Sequence, residues 1–536
     1  MAAMVKLLAW PAYRSTDFSV HAHWLFITSR MPPSEWYREQ TSRWTLDYPP
    51  VFAWFEYALG RVFLPPPPSL LGNLDEPFAC FRNPTPNTPE CFSNEAVIWH
   101  RVSVAGTELL MLSLGVFAFC RTWPESSDNA ELKFTPRKQL AAAVLVGFDP
   151  NLLLVDHIHF QYNGVLLGVL LLSIASIRAE RDFLAALLFA LLLCFKHIFI
   201  YAAPLYFVYL FRRSIRFTPT NGFDWRYFLY RMAGLGSIVV SVFAFAMFSV
   251  CGVGDGRAVE CVKAMGSRLF PVGERGLLHA YWAPNFWALY ATADKLLKVT
   301  LVGSASTSKA TSSLGLVAGV VEFDVLPTVP VYETVFLSVM GMIPALFKVW
   351  QCPHPQLFLH AYVVCVLAFF LFGFHVHEKA LLMASVPLAL SALDSTFDAN
   401  AYLCLACTTF VALCPLLFVV ELTPIKLLLG LGFALLAGVV LDGFHTESKR
   451  ERRIAHTGLA QSLFVRSKVR ALYLGGLMVV LGVYESGVVP RWRPKLEFLP
   501  LMLVSAYCAV GVLGCWIELY VMLDRKQCAI ESYSNM

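Results

Sequence analysis

Long apolar runs separated by short polar segments dominate this chain, and no other feature constrains its fold as strongly. A helix needs about 20 apolar residues to cross the hydrocarbon core of a bilayer. The chain has 536 residues, of which 57% are hydrophobic and 15% are charged, a more apolar balance than that of soluble domains. The pattern therefore predicts an all-α, polytopic membrane protein. The apolar runs lie at about 96–120, 139–155, 164–177, 183–195, 198–211, 232–251, 334–350, 357–374, 380–393, 401–420, 424–441, 471–484 and 498–523.

Basic residues predict which ends of these spans face the cytosol. Counting the spans between three basic segments places all three on one side, which the positive-inside rule makes cytosolic. The net charge of +5 thus belongs to loops between spans, which argues against a nucleic-acid partner. The basic segments contain Arg121, Lys133, Arg137 and Lys138, then Arg212, Arg213, Arg216, Arg226 and Arg231, then Lys449, Arg450, Arg452, Arg453, Arg466, Lys468 and Arg470. The loops at 14–95, 156–163, 252–333, 375–379 and 485–497 are then predicted to face the lumen.

The same pattern divides the chain into six segments. Aromatic rings in the first loop favour amphipathic helices at the membrane interface. Cys80 and Cys91 lie in that loop and could pair if it faces an oxidising lumen, which the sequence leaves open. The segments are 1–13, a partial first transmembrane helix; 14–95, a first lumenal loop with amphipathic helices; 96–251, transmembrane helices; 252–333, a long lumenal loop; 334–523, transmembrane helices; and 524–536, a cytosolic tail.

The segment STDFSVHAHW, residues 15–24, places Asp17 just beyond the first apolar stretch. Its neighbours in sequence include His21, His23 and Trp24. An aspartate with an ordinary pKa of about 3.9 is ionised near neutral pH, so Asp17 is a candidate general base towards a sugar hydroxyl. The Ser-Thr-Asp run is also typical of a helix N-cap. The sequence alone leaves both interpretations open.

A second carboxylate, Asp47, lies in the segment WTLDYPP. The two prolines that follow Tyr48 favour an extended Asp-Tyr pair before the next helix. Asp47 and Tyr48 are therefore candidates for hydrogen bonds to sugar hydroxyls. A turn ahead of a helix that begins with proline explains the same residues without any ligand.

Polar residues separate two apolar runs in the segment VDHIHFQYNG, residues 155–164. An ordinary membrane turn needs only a few polar residues, and ionisable groups at membrane depth are candidates for function. We therefore predict substrate contacts from a lumenal loop here. The candidate residues are Asp156, His157, His159, Gln161 and Asn163.

Residues 267–290 combine basic and aromatic side chains within the long lumenal loop. Arginine forks suit phosphate, and aromatic faces suit sugars or isoprenoid chains. An aromatic belt at the membrane interface with snorkelling arginines is the alternative explanation. The residues predicted to bind substrate are Arg268, Arg275, His279, Tyr281, Trp282, Asn285 and Trp287.

The segment GFHVHEKA, residues 373–380, separates two further apolar runs on the same predicted face. His-x-His with an adjacent glutamate fits metal-site spacing loosely, and the helical HExxH pattern and a cysteine cluster are both missing. Positive charge that stabilises a phosphate leaving group is the favoured interpretation. The residues predicted to bind substrate here are His375, His377, Glu378 and Lys379, with Lys196 at the end of another short span.

Taken together, STDFSVHAHW, WTLDYPP, DHIHFQYNG, HAYWAPNFWALY and FHVHEK resemble the motifs of one family. It comprises the endoplasmic-reticulum α-1,3-glucosyltransferases that use dolichyl-phosphate glucose, which belong to the GT-C class. The resemblance covers nearly the whole chain and is strongest to members that add the second glucose to a lipid-linked oligosaccharide. It implies a GT-C-like bundle of about 13–14 transmembrane helices, lumenal loops bearing amphipathic helices, and an active site facing the lumen.

The resemblance also implies a mechanism. Asp17 matches the family's catalytic base, which removes the proton from the acceptor hydroxyl while dolichyl phosphate leaves from the opposite face of the sugar. The donor is dolichyl-phosphate glucose, and the acceptor is the monoglucosylated, dolichyl-diphosphate-linked oligosaccharide. A phosphate is already a good leaving group, so nearby positive charge suffices and no acid is needed. Neither a metal nor another cofactor is implied.

Two other functions fit parts of this pattern. The sister enzyme, which adds the first glucose to a mannose-terminated acceptor, has similar motifs. A flippase or transporter of lipid-linked sugars would use the same polar groups without chemistry, but transporters often show repeated halves. The sequence shows no such internal symmetry, and its polar motifs cluster on one predicted face. The transferase is therefore the favoured interpretation.

Overall fold

The described residues fold mainly into helices, and the chain divides into two compact units. The first unit comprises Met1–Thr122 and Leu152–Pro271, and the second comprises Trp123–Asn151 and Val272–Met536. The computed structural model describes residues 6, 13–40, 42, 44–63, 93–123, 135–218, 222–252, 256–271, 275–279, 281–302, 323–452, 460–493, 496 and 498–534.

Eight α-helices and one small sheet form the described part of the first unit. The α-helices are α1 (Thr16–Arg30), α2 (Pro50–Ala58), α3 (Asn94–Cys120), α5 (Asn163–Arg178), α6 (Asp182–Phe195), α7 (Ala203–Ser214), α8 (Trp225–Cys251) and α9 (Gly256–Leu269). Shorter 3₁₀ or π turns lie at Pro33–Glu35, Leu59–Phe63, Leu153–Phe160 and His197–Ala202. Strands β1 (Phe217–Thr218) and β2 (Gly222–Phe223) are antiparallel, with Phe217 opposite Phe223.

All regular secondary structure in the described part of the second unit is helical. Its α-helices are α4 (Pro136–Gly147), α10 (Phe286–Leu297), α11 (Val331–Gln351), α12 (Pro355–Phe372), α13 (Leu382–Ser391), α14 (Thr396–Leu413), α15 (Thr423–Arg452), α16 (Ala460–Ser486), α17 (Val488–Trp492) and α18 (Leu499–Ser534). Short 3₁₀ or π turns lie at Lys298–Val302, Glu378–Leu381, Cys414–Leu416 and Val420–Leu422. A three-residue helical turn, Pro150–Leu152, crosses the boundary between the units in sequence.

Nine helical stretches within the described ranges are long and apolar enough to cross a membrane. They are Asn94–Cys120, Pro136–Phe160, Trp225–Cys251, Val331–Gln351, Pro355–Phe372, Thr396–Leu416, Val420–His445, Lys468–Ser486 and Leu499–Asp524. Two shorter apolar helices, Asn163–Arg178 and Asp182–Phe195, accompany them. The prediction of an all-α polytopic membrane protein is confirmed. Only 22% of the apolar window of α8 is buried by protein, as expected for a helix whose remaining surface contacts lipid.

Serine and threonine caps begin several of these helices, as expected from local sequence. Ser93 accepts a hydrogen bond from the backbone N–H of Ala96 at the start of α3, at 3.2 Å. Thr135 accepts one from Lys138 at the start of α4, at 3.1 Å, and Pro136 occupies the first position of that helix. These caps satisfy N–H groups that have no partner inside the helix.

Helices α3 and α5 pack with their backbones in contact. A Cβ atom added to Gly168 would lie 2.4 Å from the backbone of Met111, and one added to Gly115 would lie 2.7 Å from the carbonyl oxygen of Gly168. Glycines permit such close approach between membrane helices. The contact brings the polar residues Arg101 and Glu108 of α3 against the turn Leu153–Phe160.

Helix α1 lies inside the first unit, which differs from the amphipathic surface helix predicted for this loop. Ten of its 15 residues are buried. His21 contacts Glu56 through Nδ1 at 3.0 Å, and His23 contacts Glu39 through Nε2 at 3.1 Å, with all four side chains buried. Buried polar groups need such partners. The two histidines therefore hold α1 in place within the first unit.

A disulfide between Cys251 and Cys261 joins the end of α8 to α9, with the two Cα atoms 5.5 Å apart. Both cysteines belong to the hydrophobic core of the first unit, together with Met265 of α9. The predicted pair Cys80 and Cys91 lies outside the described residues. The observed disulfide fixes the first part of the segment predicted as the long lumenal loop.

We expect the double variant Cys251→Ser/Cys261→Ser to loosen α9. Closing a loop of ten residues by a disulfide contributes about 2–3 kcal/mol in the chain-entropy account. Hydrogen exchange in the 256–269 segment should therefore become faster than in the wild type. The partly exposed Cys352 lies outside this disulfide and supplies a control, and Cys352→Ser should leave that exchange unchanged. Equal protection of α9 with and without the disulfide would contradict this expectation.

Candidate functional site

Asp17 lies in the first turn of α1, and the structure shows that this residue is not the N-cap of the helix. Ser15 is the N-cap, because its Oγ accepts a hydrogen bond from the backbone N–H of Asp17 at 3.1 Å. The carboxylate of Asp17 is thus available for other contacts, and its side chain is 24% exposed. A carboxylate in the first turn is also favoured by the helix dipole.

The turn Leu153–Phe160 brings two predicted residues to this carboxylate. Gln161 donates from Nε2 to Asp17 Oδ2 at 2.6 Å. His159 Nε2 lies 3.2 Å from the same oxygen. The prediction placed these residues in a loop, whereas the chain forms a wide π-helical turn up to Phe160. Phe160 then adopts a φ of 88°, a conformation rare for residues other than glycine, and this reverses the chain towards Asp17.

A chain of hydrogen bonds extends from Asp17 to a lysine. Asn163 donates from Nδ2 to Gln161 Oε1 at 2.8 Å, and Lys196 donates from Nζ to Asn163 Oδ1 at 3.0 Å. The Lys196 ammonium also lies 4.9 Å from the ring centroid of Tyr48. Because Gln161 accepts from Asn163 through its oxygen, its NH₂ group is directed at Asp17. The arrangement therefore presents an amide donor to the Asp17 carboxylate.

Asp156 and His157 are placed differently from the predicted substrate contacts. Asp156 is fully buried, and its carboxylate accepts hydrogen bonds from Asn163 Nδ2 at 2.8 Å and from the N–H of Gly164 at 2.6 Å. His157 is also buried, and its Nε2 lies 2.5 Å from Glu108 Oε2. Both side chains contact protein groups that fix the turn and the start of α5. They are placed to hold the site, not to face a ligand.

Asp47, Tyr48 and Arg268 lie in the first unit at partly exposed positions. Arg268 donates to the carbonyl oxygen of Glu39 at 2.7 Å, so α9 supports the first loop. Burial lowers the pKa of Arg268, while the negative charges of Glu39 and Asp47 oppose this shift. Asp47 therefore lies within electrostatic reach of Arg268. Tyr48 packs with its ring 4.9 Å from that of Trp24.

A second cluster of predicted residues lies in the second unit. The ring centroids of His279 and His377 are 3.9 Å apart, and that of His375 is 5.5 Å from His279. His375 Nδ1 lies 2.8 Å from the carbonyl oxygen of Gly276. His375 adopts a φ of 49°, and such strained residues are common at functional sites. The structure thus joins residues 275–279 to the HVHEK segment.

Glu378 is the buried carboxylate of this histidine cluster. Its Oε2 lies 3.1 Å from His377 Nδ1 and 3.5 Å from His279 Nδ1. The ligand atoms of the three residues lie within 4.8 Å of one another, a spacing that a metal ion could bridge. The prediction from the sequence that this segment binds no metal stays a prediction. Lys379 follows in the chain and is buried, whereas Arg275 is exposed.

Four aromatic or polar residues predicted to bind substrate lie in or beside α10. Asn285 is the N-cap of α10, accepting from the backbone of Trp287 at 3.1 Å. Trp287 is buried and donates from Nε1 to the carbonyl oxygen of Gly373 at 3.0 Å. These two residues therefore stabilise the segment, which differs from their predicted role. Trp282 is also buried, with a φ of 50°, whereas Tyr281 is partly exposed.

The histidine cluster predicts a pH dependence of stability. Burial lowers the pKa of His377 to about 3 and that of His375 to about 4. An unfolded histidine titrates near 6.5, so below about pH 6.5 the unfolded chain binds protons that the folded chain does not. Stability is therefore lost as the pH falls below this value. We expect Tm to fall less between about pH 7.5 and 5 in His375→Gln/His377→Gln than in the wild type. Scanning fluorimetry measures this difference, and equal slopes would contradict it.

The sequence interpretation missed two residues that build the site around Asp17, Arg101 and Glu108, and a second contact made by Ser15. Ser15 caps α1 and donates from Oγ to the carbonyl oxygen of His159. Arg101 donates to the carbonyl oxygens of His157 and Ile158. Glu108 contacts the imidazole of His157. Arg101 and Glu108 interrupt an apolar run, and ionisable residues inside such a run are a signal that could have identified them.

Comparison with known proteins places these two clusters in a family context. Residues 2–519 match the family described as the ALG6, ALG8 glycosyltransferase family. The chain belongs to this family. The resemblance inferred from the motifs is therefore confirmed at the family level, and both clusters fall within the matched residues.

Several curated relatives are similar over almost their whole length. A Bos taurus protein is 39% identical over 530 residues, which cover 97% of this chain and 93% of the relative. An Arabidopsis thaliana protein is 39% identical over 524 residues, covering 96% and 95%. A Schizosaccharomyces pombe protein is 37% identical over 523 residues, again covering 96% and 95%. Each is named dolichyl pyrophosphate Glc1Man9GlcNAc2 alpha-1,3-glucosyltransferase.

Proposed function

We propose that this protein transfers glucose from dolichyl-phosphate glucose to the terminal glucose of monoglucosylated dolichyl-diphosphate oligosaccharide, forming an α-1,3 linkage. The names of its relatives support this acceptor and linkage. The observation that carries the proposal is the partly exposed carboxylate of Asp17, held by Gln161 at 2.6 Å and close to His159. An oriented, ionised carboxylate is the group that an inverting transfer needs as its base.

In the proposed reaction, Asp17 accepts the proton of the acceptor 3-hydroxyl. The acceptor oxygen then forms a bond to the anomeric carbon of the donor glucose. The bond from that carbon to the phosphate oxygen breaks, and dolichyl phosphate leaves with the electron pair on the opposite face. The amide of Gln161 aims the Asp17 carboxylate, because its NH₂ group donates to Oδ2 at 2.6 Å.

Basic groups of the second unit are proposed to hold the donor phosphate. Arg275 and Lys379 supply positive charge beside His375 and His377 in sequence and in the fold. Since burial lowers the pKa of both histidines, they act near neutral pH as neutral hydrogen-bonding groups, and the lysine and arginine carry the charge. This assignment refines the prediction that the histidines provide cationic stabilisation.

The proposed location is the endoplasmic-reticulum membrane, with the site facing the lumen. The disulfide between Cys251 and Cys261 supports this orientation, because disulfides form and persist in oxidising compartments. It lies in the segment that the basic loops independently predict to be lumenal. Asp17 belongs to the first loop, which the same prediction places on that side.

Covalent transfer in detergent tests this function against transport. Purified protein is supplied with radiolabelled dolichyl-phosphate glucose and monoglucosylated acceptor lipid, in micelles that have no second compartment. We expect label in the oligosaccharide, sensitive to an α-1,3-specific glucosidase. Label that stays in the donor, while the same preparation moves lipid-linked sugar across a liposome bilayer, would support the transporter and overturn the transferase.

A further inference from the structure

We infer that Arg101 is a positioning residue that holds the catalytic carboxylate and its hydrogen-bond partner together. It lies on α3 and is fully buried. It touches neither Asp17 nor any atom proposed to react, so its effect on chemistry is indirect. The inference rests on the proposed role of Asp17 as the base.

The guanidinium of Arg101 joins two segments that are distant in sequence. Nη2 donates to the carbonyl oxygen of Tyr13 at 3.2 Å, just before α1, and to that of Ile158 at 3.3 Å, in the π-helical turn. Nη1 donates to the carbonyl oxygen of His157. One side chain thus fixes the segment that leads to Asp17 and the segment that leads to Gln161.

The end of the π-helical turn needs such support. The last carbonyl groups of a helix lack partners within the helix, and here Arg101 satisfies two of them. Phe160 follows with a φ of 88°, which persists in a protein only where the surroundings enforce it. The Arg101 guanidinium lies 5.9 Å from the Phe160 ring centroid, and Phe18 packs on that ring at 5.1 Å. This strained residue directly precedes Gln161.

The hydrogen-bond partners of the buried Arg101 guanidinium also indicate a functional role. Among the described residues, all its hydrogen bonds go to backbone carbonyl oxygens, and no carboxylate pairs with it there. A buried cation without a carboxylate partner is a costly way to stabilise a fold. Arg231 of the same unit shows the ordinary arrangement, since it is buried and pairs with Asp182 at 2.5 Å.

Arg101→Gln and Arg101→Lys test the inference in purified, folded protein. We expect Arg101→Gln to lower kcat by about tenfold to a hundredfold, because a small displacement of a reacting group has effects of this size. KM for donor and acceptor should stay within about twofold. Arg101→Lys keeps the positive charge but loses the forked N–H donors of the guanidinium. Its kcat should therefore lie between those of the wild type and Arg101→Gln. If Arg101→Gln does not fold, the lysine variant and its kcat decide the outcome.

A double-mutant cycle with Gln161→Ala separates positioning from general stability. If Arg101 acts through Gln161, Arg101→Gln should cost clearly less in the Gln161→Ala background than in the wild type. The control Arg231→Gln should lower Tm. Its effect on kcat should be the same, within about twofold, in the wild-type and the Gln161→Ala backgrounds. An unchanged kcat in folded Arg101→Gln or Arg101→Lys, or full additivity with Gln161→Ala, would overturn the inference. Asp17→Asn is measured beside these variants to test the proposed role of Asp17 separately. If Asp17→Asn keeps the wild-type rate, the assignment of Asp17 as the base is wrong, whatever the Arg101 variants show.

Discussion

Asp17→Asn is expected to lower the transfer rate by about a hundredfold to ten-thousandfold, the usual loss when a general base is removed. Gln161 Nε2 donates to Asp17 Oδ2 at 2.6 Å in the wild type. The variant keeps the shape of the side chain, and its amide oxygen can still accept this hydrogen bond. The fold around α1 should therefore survive. Single-turnover transfer with both substrates saturating measures the effect, with Tm recorded on the same sample.

A matched control separates the chemical effect from the loss of a helix-terminal charge. Glu95 is an exposed carboxylate in the first turn of α3, in the same unit. Glu95→Gln should leave the rate within about twofold, because a surface charge at a helix terminus affects stability only weakly. A folded Asp17→Asn variant with the wild-type rate would show that another group is the base, and Asp47 would be examined next.

Lys379→Gln is expected to raise the apparent KM for dolichyl-phosphate glucose by about tenfold to a hundredfold. A hydrogen bond to a charged group contributes about 1.5–3 kcal/mol, and each 1.4 kcal/mol changes affinity about tenfold. Lys379 is buried beside the histidine cluster, where its charge is screened little by solvent. KM for the acceptor should change by less than about twofold, since its reacting group is not a phosphate. Steady-state kinetics with each substrate varied in turn measures both values.

Lys348→Gln provides the control for this experiment. Lys348 is a partly buried lysine of the same unit that pairs with Asp524. Its loss should leave both KM values unchanged. Donor KM values that are equal for the wild type and Lys379→Gln would remove Lys379 from the phosphate site, and Arg275 would then be the remaining cation of the cluster.

The membrane fold could be predicted because apolar run length is a strong local signal. Asp17, Gln161 and the HVHEK segment could also be selected, since polar residues beside membrane spans are rare. The capping alternative for Asp17 could not be excluded in advance, because Ser-Thr-Asp fits a cap at either residue. Only the folded chain shows that Ser15 fills this role.

The sequence could not show which of the five polar residues of the DHIHFQYN segment contact Asp17 and which are buried against other protein groups. Their directions depend on a π-helical turn, a rare structure without a clear local signature. The turn directs Gln161 to Asp17 but buries Asp156 against the start of α5. Asn285 is a different case, because asparagine ahead of the apolar residues of α10 is an ordinary N-cap signal that the aromatic neighbours obscured.

The most direct test of the whole account is the choice of acceptor. Purified wild-type protein is given dolichyl-phosphate glucose with monoglucosylated or non-glucosylated acceptor lipid, and kcat/KM is measured for each. We predict transfer to the monoglucosylated lipid, with a kcat/KM at least about a hundredfold higher than for the other, a ratio that sites built to hydrogen-bond a substrate can exceed. A preference for the non-glucosylated, mannose-terminated acceptor would contradict the account and identify the protein as the enzyme that adds the first glucose.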